Sequence, residues 1–144
     1  MADGEAHAPP LTDRASFKTW TSDKLRFNDT DMLGHVNNAV FATACETGRV
    51  TFLYDPEHPM APDGTDFVVV RLVIDFRREM RYPGTVEIGT RITRVGRSSI
   101  TMGQGLFKDG ECVATAEGTC VLIDRETRKA VPLPPELRER LTSL

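Results

Sequence analysis

The chain has 144 residues, 40% hydrophobic and 27% charged, which is enough for one globular domain with its own core. Its formal net charge of −3 gives no global pull toward nucleic acid, and no run of about 18 apolar residues offers a membrane insertion. MADGEAHAPPLTDR lacks the basic start and apolar core of a secretory signal, and Cys45, Cys112 and Cys120 are odd in number without metal-ligand spacing, so a reducing cytoplasm is the expected home.

Residues 1–17 are mostly small or polar and bear prolines, and are read as a flexible N-terminal arm before a domain over 18–144. Lys18–Phe27 is a first strand ending in a polar loop. That loop crowds Asn28, Asp29, Asp31 and His35 around Gly34. Asn37 or Asn38 then caps a helix running to about Tyr54. Small and apolar residues cover most of that helix, including Ala39, Ala42, Ala44, Cys45 and Gly48, so it is expected to be buried. A carboxylate beside a helix N-terminus suits hydrolysis: the carboxylate activates water while free N–H groups hold a developing oxyanion.

After the proline-rich loop 55–66 the apolar period changes to two. Val68, Val70, Leu72, Ile74 and Phe76 mark one strand face, and Thr85–Val95 is the next strand. Ser99–Lys108 and Glu111–Ile123 follow, joined by Asp109-Gly110, a strong hairpin signal because a type I′ turn needs positive φ at both positions. Pairing Lys108 with Glu111 sets Phe107 against Cys112, Gly105 against Ala114, Gly103 against Ala116 and Thr101 against Gly118. That register predicts a small-residue face suited to a helix rich in Ala and Gly, hence a curved antiparallel sheet around one helix. A short terminal helix is expected in PLPPELRERL. Between Arg71 and Arg97 seven arginines stand against Asp75, Glu79 and Glu87. They read either as a solvated sheet edge or as a patch for a phosphorylated ligand.

NDTDMLGHVNN followed by Glu46 and Arg49, with the later tract IDFRREMRYPGTVEIGTRITRVGRSSI, resembles the hotdog-fold acyl-CoA thioesterases related to 4-hydroxybenzoyl-CoA thioesterase. The resemblance covers about Ser22 to Leu137. It implies an α+β hotdog fold, an acyl-CoA substrate, and homodimers or homotetramers with active sites at the subunit interface. It implies no metal and no cofactor beyond the coenzyme A of the substrate. Asp31 matches the catalytic aspartate, as general base or nucleophile. Asn38 falls where a helix N-terminal N–H polarises the thioester carbonyl. Gly34, Val36 and Asn37 fall among the substrate-binding positions, and Arg97, Ser98 and Ser99 lie in the basic turn that meets coenzyme A phosphates. Met32-Leu33 and His35 depart from the 4-hydroxybenzoyl enzyme, which puts aromatic acyl specificity in question.

His35 and Glu46 are the supporting catalytic candidates. Some hotdog thioesterases carry their carboxylate on this helix, but a buried structural role for Glu46 is the competing reading. Asp29 reads as a loop organiser, and His35 as orienting substrate or loop. Cys45, mid-helix without a base partner, does not read as a nucleophile. The alternative function is an acyl-CoA-binding hotdog protein that does little chemistry.

Overall fold

The computed structural model describes residues 8–144. Helix α1 (Asn38–Leu53) begins where the Asn37 side chain accepts the Ala39 N–H at 3.0 Å, a cap that offsets one of the unpaired N–H groups of the first turn. Five strands pack around it: β1 (Thr19–Lys24), β2 (Thr65–Phe76), β3 (Thr85–Val95), β4 (Ser99–Lys108) and β5 (Glu111–Asp124). All neighbours are antiparallel, in the order β1-β3-β4-β5-β2, so β1 and β2 are the edges. This curved sheet with one long helix against it is the expected hotdog fold, and helix α2 (Pro135–Thr142) closes the end near the C-terminus of α1.

The helix is not buried on all sides, contrary to what its composition suggests. Phe41, Ala44, Cys45, Gly48, Phe52 and Leu53 face the sheet, whereas Ala39, Thr43, Glu46 and Val50 form an exposed strip. Gly48 makes the closest approach, because a Cβ there would lie 2.5 Å from Gln104 Nε2 and 2.7 Å from Ile88 Cγ2. Gln104 is fully buried and donates to the Cys45 carbonyl at 2.9 Å and to Thr90 Oγ1 at 3.1 Å, tying the helix to the sheet. The core falls into two clusters along α1. Val36, Phe41, Met80, Ile88 and Leu106 surround its start, and Phe52, Met102, Leu122, Leu137 and Leu141 surround its end.

Two bulges correct the strand faces read from simple alternation. Asp109 and Gly110 have φ of 52° and 80°, as the hairpin signal requires, and Lys108 pairs with Glu111 and Phe107 with Cys112. The register then slips, so Leu106, Gln104 and Met102 oppose Ala114, Ala116 and Gly118. The inner face thus alternates large side chains on β4 with small ones on β5, and Gly103 and Gly105 point outward. In β2 a second slip between Val69 and Arg71 moves Val70 off the face of Leu72 and Ile74. The inward residue before it is Phe67.

The outward glycines make room for the chain's beginning. Of the arm expected over residues 1–17, residues 1–7 lie outside the described residues, and the rest packs on the sheet. Phe17 is buried over Gly89 and Gly105, and Leu11 sits on Gly103. Arg14 pairs with Glu87 at 3.2 Å and lies over the rings of Trp20 and Phe107. Among the described residues no helix is long and apolar enough to cross a membrane, and all three cysteines are free thiols.

Candidate active site

The loop between β1 and α1 is built by local hydrogen bonds. Asp29, buried at 7% exposure, accepts the Arg26 N–H on Oδ2 at 2.8 Å and the Arg26 guanidinium on Oδ1 at 3.2 Å, while its carbonyl takes the Asn37 N–H at 2.8 Å. It is therefore the loop organiser that its position suggests. Thr30 and Val36 form a β-bridge, closing a small turn around Asp31. Gly34 adopts φ of +80° inside that turn, a conformation an L side chain resists. Its N–H reaches the Asp31 carbonyl at 3.1 Å, and the Asp31 N–H reaches the His35 carbonyl at 2.8 Å.

These bonds aim the Asp31 side chain. Its Oδ1 accepts N–H groups from Leu33 at 2.8 Å and His35 at 3.1 Å. Oδ2 takes no hydrogen bond from the described residues and is free for water or substrate. At the helix start, the Ala39 N–H is capped by Asn37 Oδ1 and the Val40 N–H by the Asn37 carbonyl, and the Asn38 N–H has no acceptor among the described residues.

The opposite wall comes from the chain just after β2. The Val36 N–H donates to the Met80 carbonyl at 2.7 Å, and His35 bridges Arg81. The result is a cleft of about 270 Å³ lined by Asp31, His35, Val36 and Asn38 on one side and by Phe41 and residues 76–80 on the other. Phe76, half exposed, meets Phe41 edge-to-face at 5.1 Å. His35 Nε2 lies 3.1 Å from Glu79 Oε2 and 3.0 Å from Arg81 Nη2.

Four of the residues expected at the site thus meet on one cleft: Asp31, His35, Val36 and Asn38. Gly34 and Asn37 shape the loop beside it. Glu46 is exposed on the outer strip of α1 rather than held in a buried structural contact, and it does not line the cleft. Arg97, Ser98 and Ser99 lie beyond the other end of β3, roughly 35 Å away at about 3.3 Å per strand residue. There the Arg97 carbonyl accepts the Leu133 N–H at 2.9 Å. The arginine cluster is likewise divided: Arg77, Arg78 and Arg81 adjoin the cleft end, while Arg91 bonds the Pro9 carbonyl on the outer face. Phe76, Glu79 and Met80 are not among the residues that the sequence leads one to expect at the site, and Arg77 and Arg78 are expected only as members of the arginine cluster. Their one signal is the FRREM run closing a strand.

Burial pushes the Cys45 thiol up to about 11 against an opposing pull from Arg49, so it has no nucleophilic character. Among the described residues no group of three or more His, Cys, Asp and Glu is placed to hold a metal ion.

A curved antiparallel sheet wrapped on one long helix is the hotdog fold of the thioesterases. The model of the thioesterase-like superfamily matches residues 25–141, and the chain belongs to that family. It is 32% identical over 128 residues to the long-chain acyl-CoA thioesterase FadM of Escherichia coli (strain K12), covering 86% of this chain and 97% of that protein. Among solved structures it is similar to a thioesterase from Thermus thermophilus complexed with coenzyme A and Zn, with a TM-score of 0.76 at 34% identity over 87% of this chain and 98% of that one. The PA5185 protein of Pseudomonas aeruginosa strain PAO1 superposes with a TM-score of 0.79 at 28% identity, over 91% of this chain and 94% of that one.

Proposed function

We propose that the protein hydrolyses acyl-CoA thioesters, releasing a carboxylic acid and coenzyme A. The observation that carries this reading is that Asp31 and Asn38, the first residue of α1, line one cleft. The carbonyl oxygen of the thioester receives the Asn38 N–H, reinforced by the positive end of the α1 dipole. Asp31 takes a proton from water as it attacks the carbonyl carbon, or attacks that carbon itself to give a mixed anhydride that water then opens. In both routes the C–S bond breaks and the thiolate of coenzyme A leaves to be protonated. The likeness to FadM and to a thioesterase that holds coenzyme A supports this substrate class.

The same reading makes the enzyme a homodimer or homotetramer acting in the cytoplasm, a compartment that suits three free thiols. Strand β2 is an unpaired edge, and its Val69, Val70, Val73 and Phe76 are exposed. Phe76 also lines the cleft, so a second copy seated on this edge borders the site. That copy supplies Arg97, Ser98 and Ser99 for the phosphates of coenzyme A, which one chain alone holds far from Asp31. No metal or further cofactor enters the reaction.

The test is thiol release from acyl-CoAs of graded chain length and from aromatic acyl-CoAs, by wild type and Asp31→Asn. Turnover by wild type and its loss in the variant is the expected result. Saturable binding without turnover on every acyl-CoA would favour a binding protein instead, and full activity in Asp31→Asn would remove Asp31 from the chemistry.

A further inference from the structure

We propose that Glu79 is a positioning residue for this reaction: it fixes the His35 imidazole and, through it, the loop that aims Asp31. The inference rests on Asp31 being the reacting carboxylate. His35 Nε2 meets Glu79 Oε2 at 3.1 Å and Arg81 Nη2 at 3.0 Å, and those two groups are 3.4 Å apart.

One ring nitrogen cannot satisfy both neighbours at once. With a proton on Nε2 it donates to Glu79. Without one it accepts from Arg81, which only donates. Glu79 holds the ring in either case, directly or by anchoring the guanidinium. Removing Glu79 leaves either an Nε2–H with no acceptor beside the Arg81 cation or an Nε2 lone pair on a guanidinium that Glu79 no longer anchors, and in both cases the ring loses its fixed position.

The turn does not stay local. The His35 main chain bonds Asp31 twice, through its carbonyl and through its N–H to Oδ1. Its neighbour Val36 is tied to Met80, next to Glu79. A small displacement of His35 therefore moves the carboxylate relative to the Asn38 N–H, and a misplacement of about 1 Å is enough to slow such a reaction by up to about a hundredfold. The Glu79 side chain is 59% exposed, so its loss opens no cavity in the core.

The experiment compares Glu79→Ala and Glu79→Gln with wild type and Asp31→Asn on a fatty acyl-CoA. Glu79→Ala should lose about tenfold in kcat while KM stays within about twofold and the urea midpoint is unchanged. Glu79→Gln keeps an acceptor oxygen and should regain most of kcat. Unchanged kcat in Glu79→Ala, a loss carried by KM alone, or no recovery in Glu79→Gln would overturn the inference. An inactive Asp31→Asn beside a normal Glu79→Ala removes only the role of Glu79. A fully active Asp31→Asn removes the catalytic reading and this inference with it.

Discussion

Asp31 and His35 hold each other by two main-chain contacts: the Asp31 N–H donates to the His35 carbonyl at 2.8 Å, and the His35 N–H donates back to Asp31 Oδ1 at 3.1 Å. One carboxylate oxygen, Oδ1, is spent on loop structure, while Oδ2 takes no hydrogen bond from the described residues. The two jobs of this side chain are therefore separable by substitution.

Asp31→Asn keeps an Oδ1 acceptor and gives up the charge. Its kcat is expected to fall by about 10²–10⁴ while its melting temperature stays at the wild-type value. Asp31→Ala loses the acceptor as well. It should be equally inactive and also less stable by about 1–2 kcal/mol, because the Leu33 and His35 N–H groups then rely on water. Thermal melts read beside thiol release check both halves. Equal stability of the two variants would mean that Oδ1 does not hold the loop.

Gly48 tests the closeness of α1 to the sheet. Alanine gains about 1 kcal/mol over glycine in a helix interior. Here its Cβ would lie 2.5 Å from Gln104 Nε2, 2.7 Å from Ile88 Cγ2 and 2.9 Å from Thr90 Oγ1. Gln104 cannot swing aside without giving up its bonds to Cys45 and Thr90. Overpacking of this kind costs about 1–3 kcal/mol and outweighs the propensity gain, so Gly48→Ala should lower the urea midpoint without changing the denaturant slope.

The parts of the molecule legible in the sequence are those set by neighbours along the chain. Asp29, Gly34 and Asn37 fold the site loop through contacts no more than a few residues apart, and Asp109-Gly110 sets its own turn. What escaped was decided across the fold. The slip after Phe107 is settled by which side chains fit under α1, so pairing outward from the turn held for two pairs and then failed. Residues 76–80 reach Asp31 only because Met80 pairs with Val36, a contact that no local pattern encodes. The small residues of α1 likewise suggested burial all round, whereas packing uses Gly48 and Ala44 on one face and leaves Glu46 on the other.

The thiols give a pH dependence of known sign. The Cys45 thiol is raised by burial from 9.0 to about 11, and burial also raises Cys112 and Cys120. A raised acid keeps its proton in the folded state while the unfolded chain ionises first. The stability contributed by Cys45 is thus complete below pH 9.0 and is lost as pH rises toward about 11. Urea midpoints should fall across that window, and less steeply in Cys45→Ala. Alkylation followed by mass spectrometry should label Cys112, the least buried of the three, before Cys45 and Cys120.

The distance between Asp31 and Arg97 within one chain sets the most discriminating prediction for the assembly. If a second copy supplies Arg97, then Arg97→Ala should raise KM for acyl-CoA by about tenfold with kcat little changed, the loss of one charge-assisted bond to phosphate. Asp31→Asn should lose kcat. Mixing the two variants after reversible dissociation forms heterodimers with one site that has both residues intact and one that has neither. With random pairing, half the dimers carry half their sites, so activity at low substrate should recover to about a quarter of wild type. A site built within one chain would regain nothing, because every chain in the mixture carries one of the two lesions. Measuring the mixture against each parent therefore decides whether the cleft at Asp31 is completed across the β2 edge.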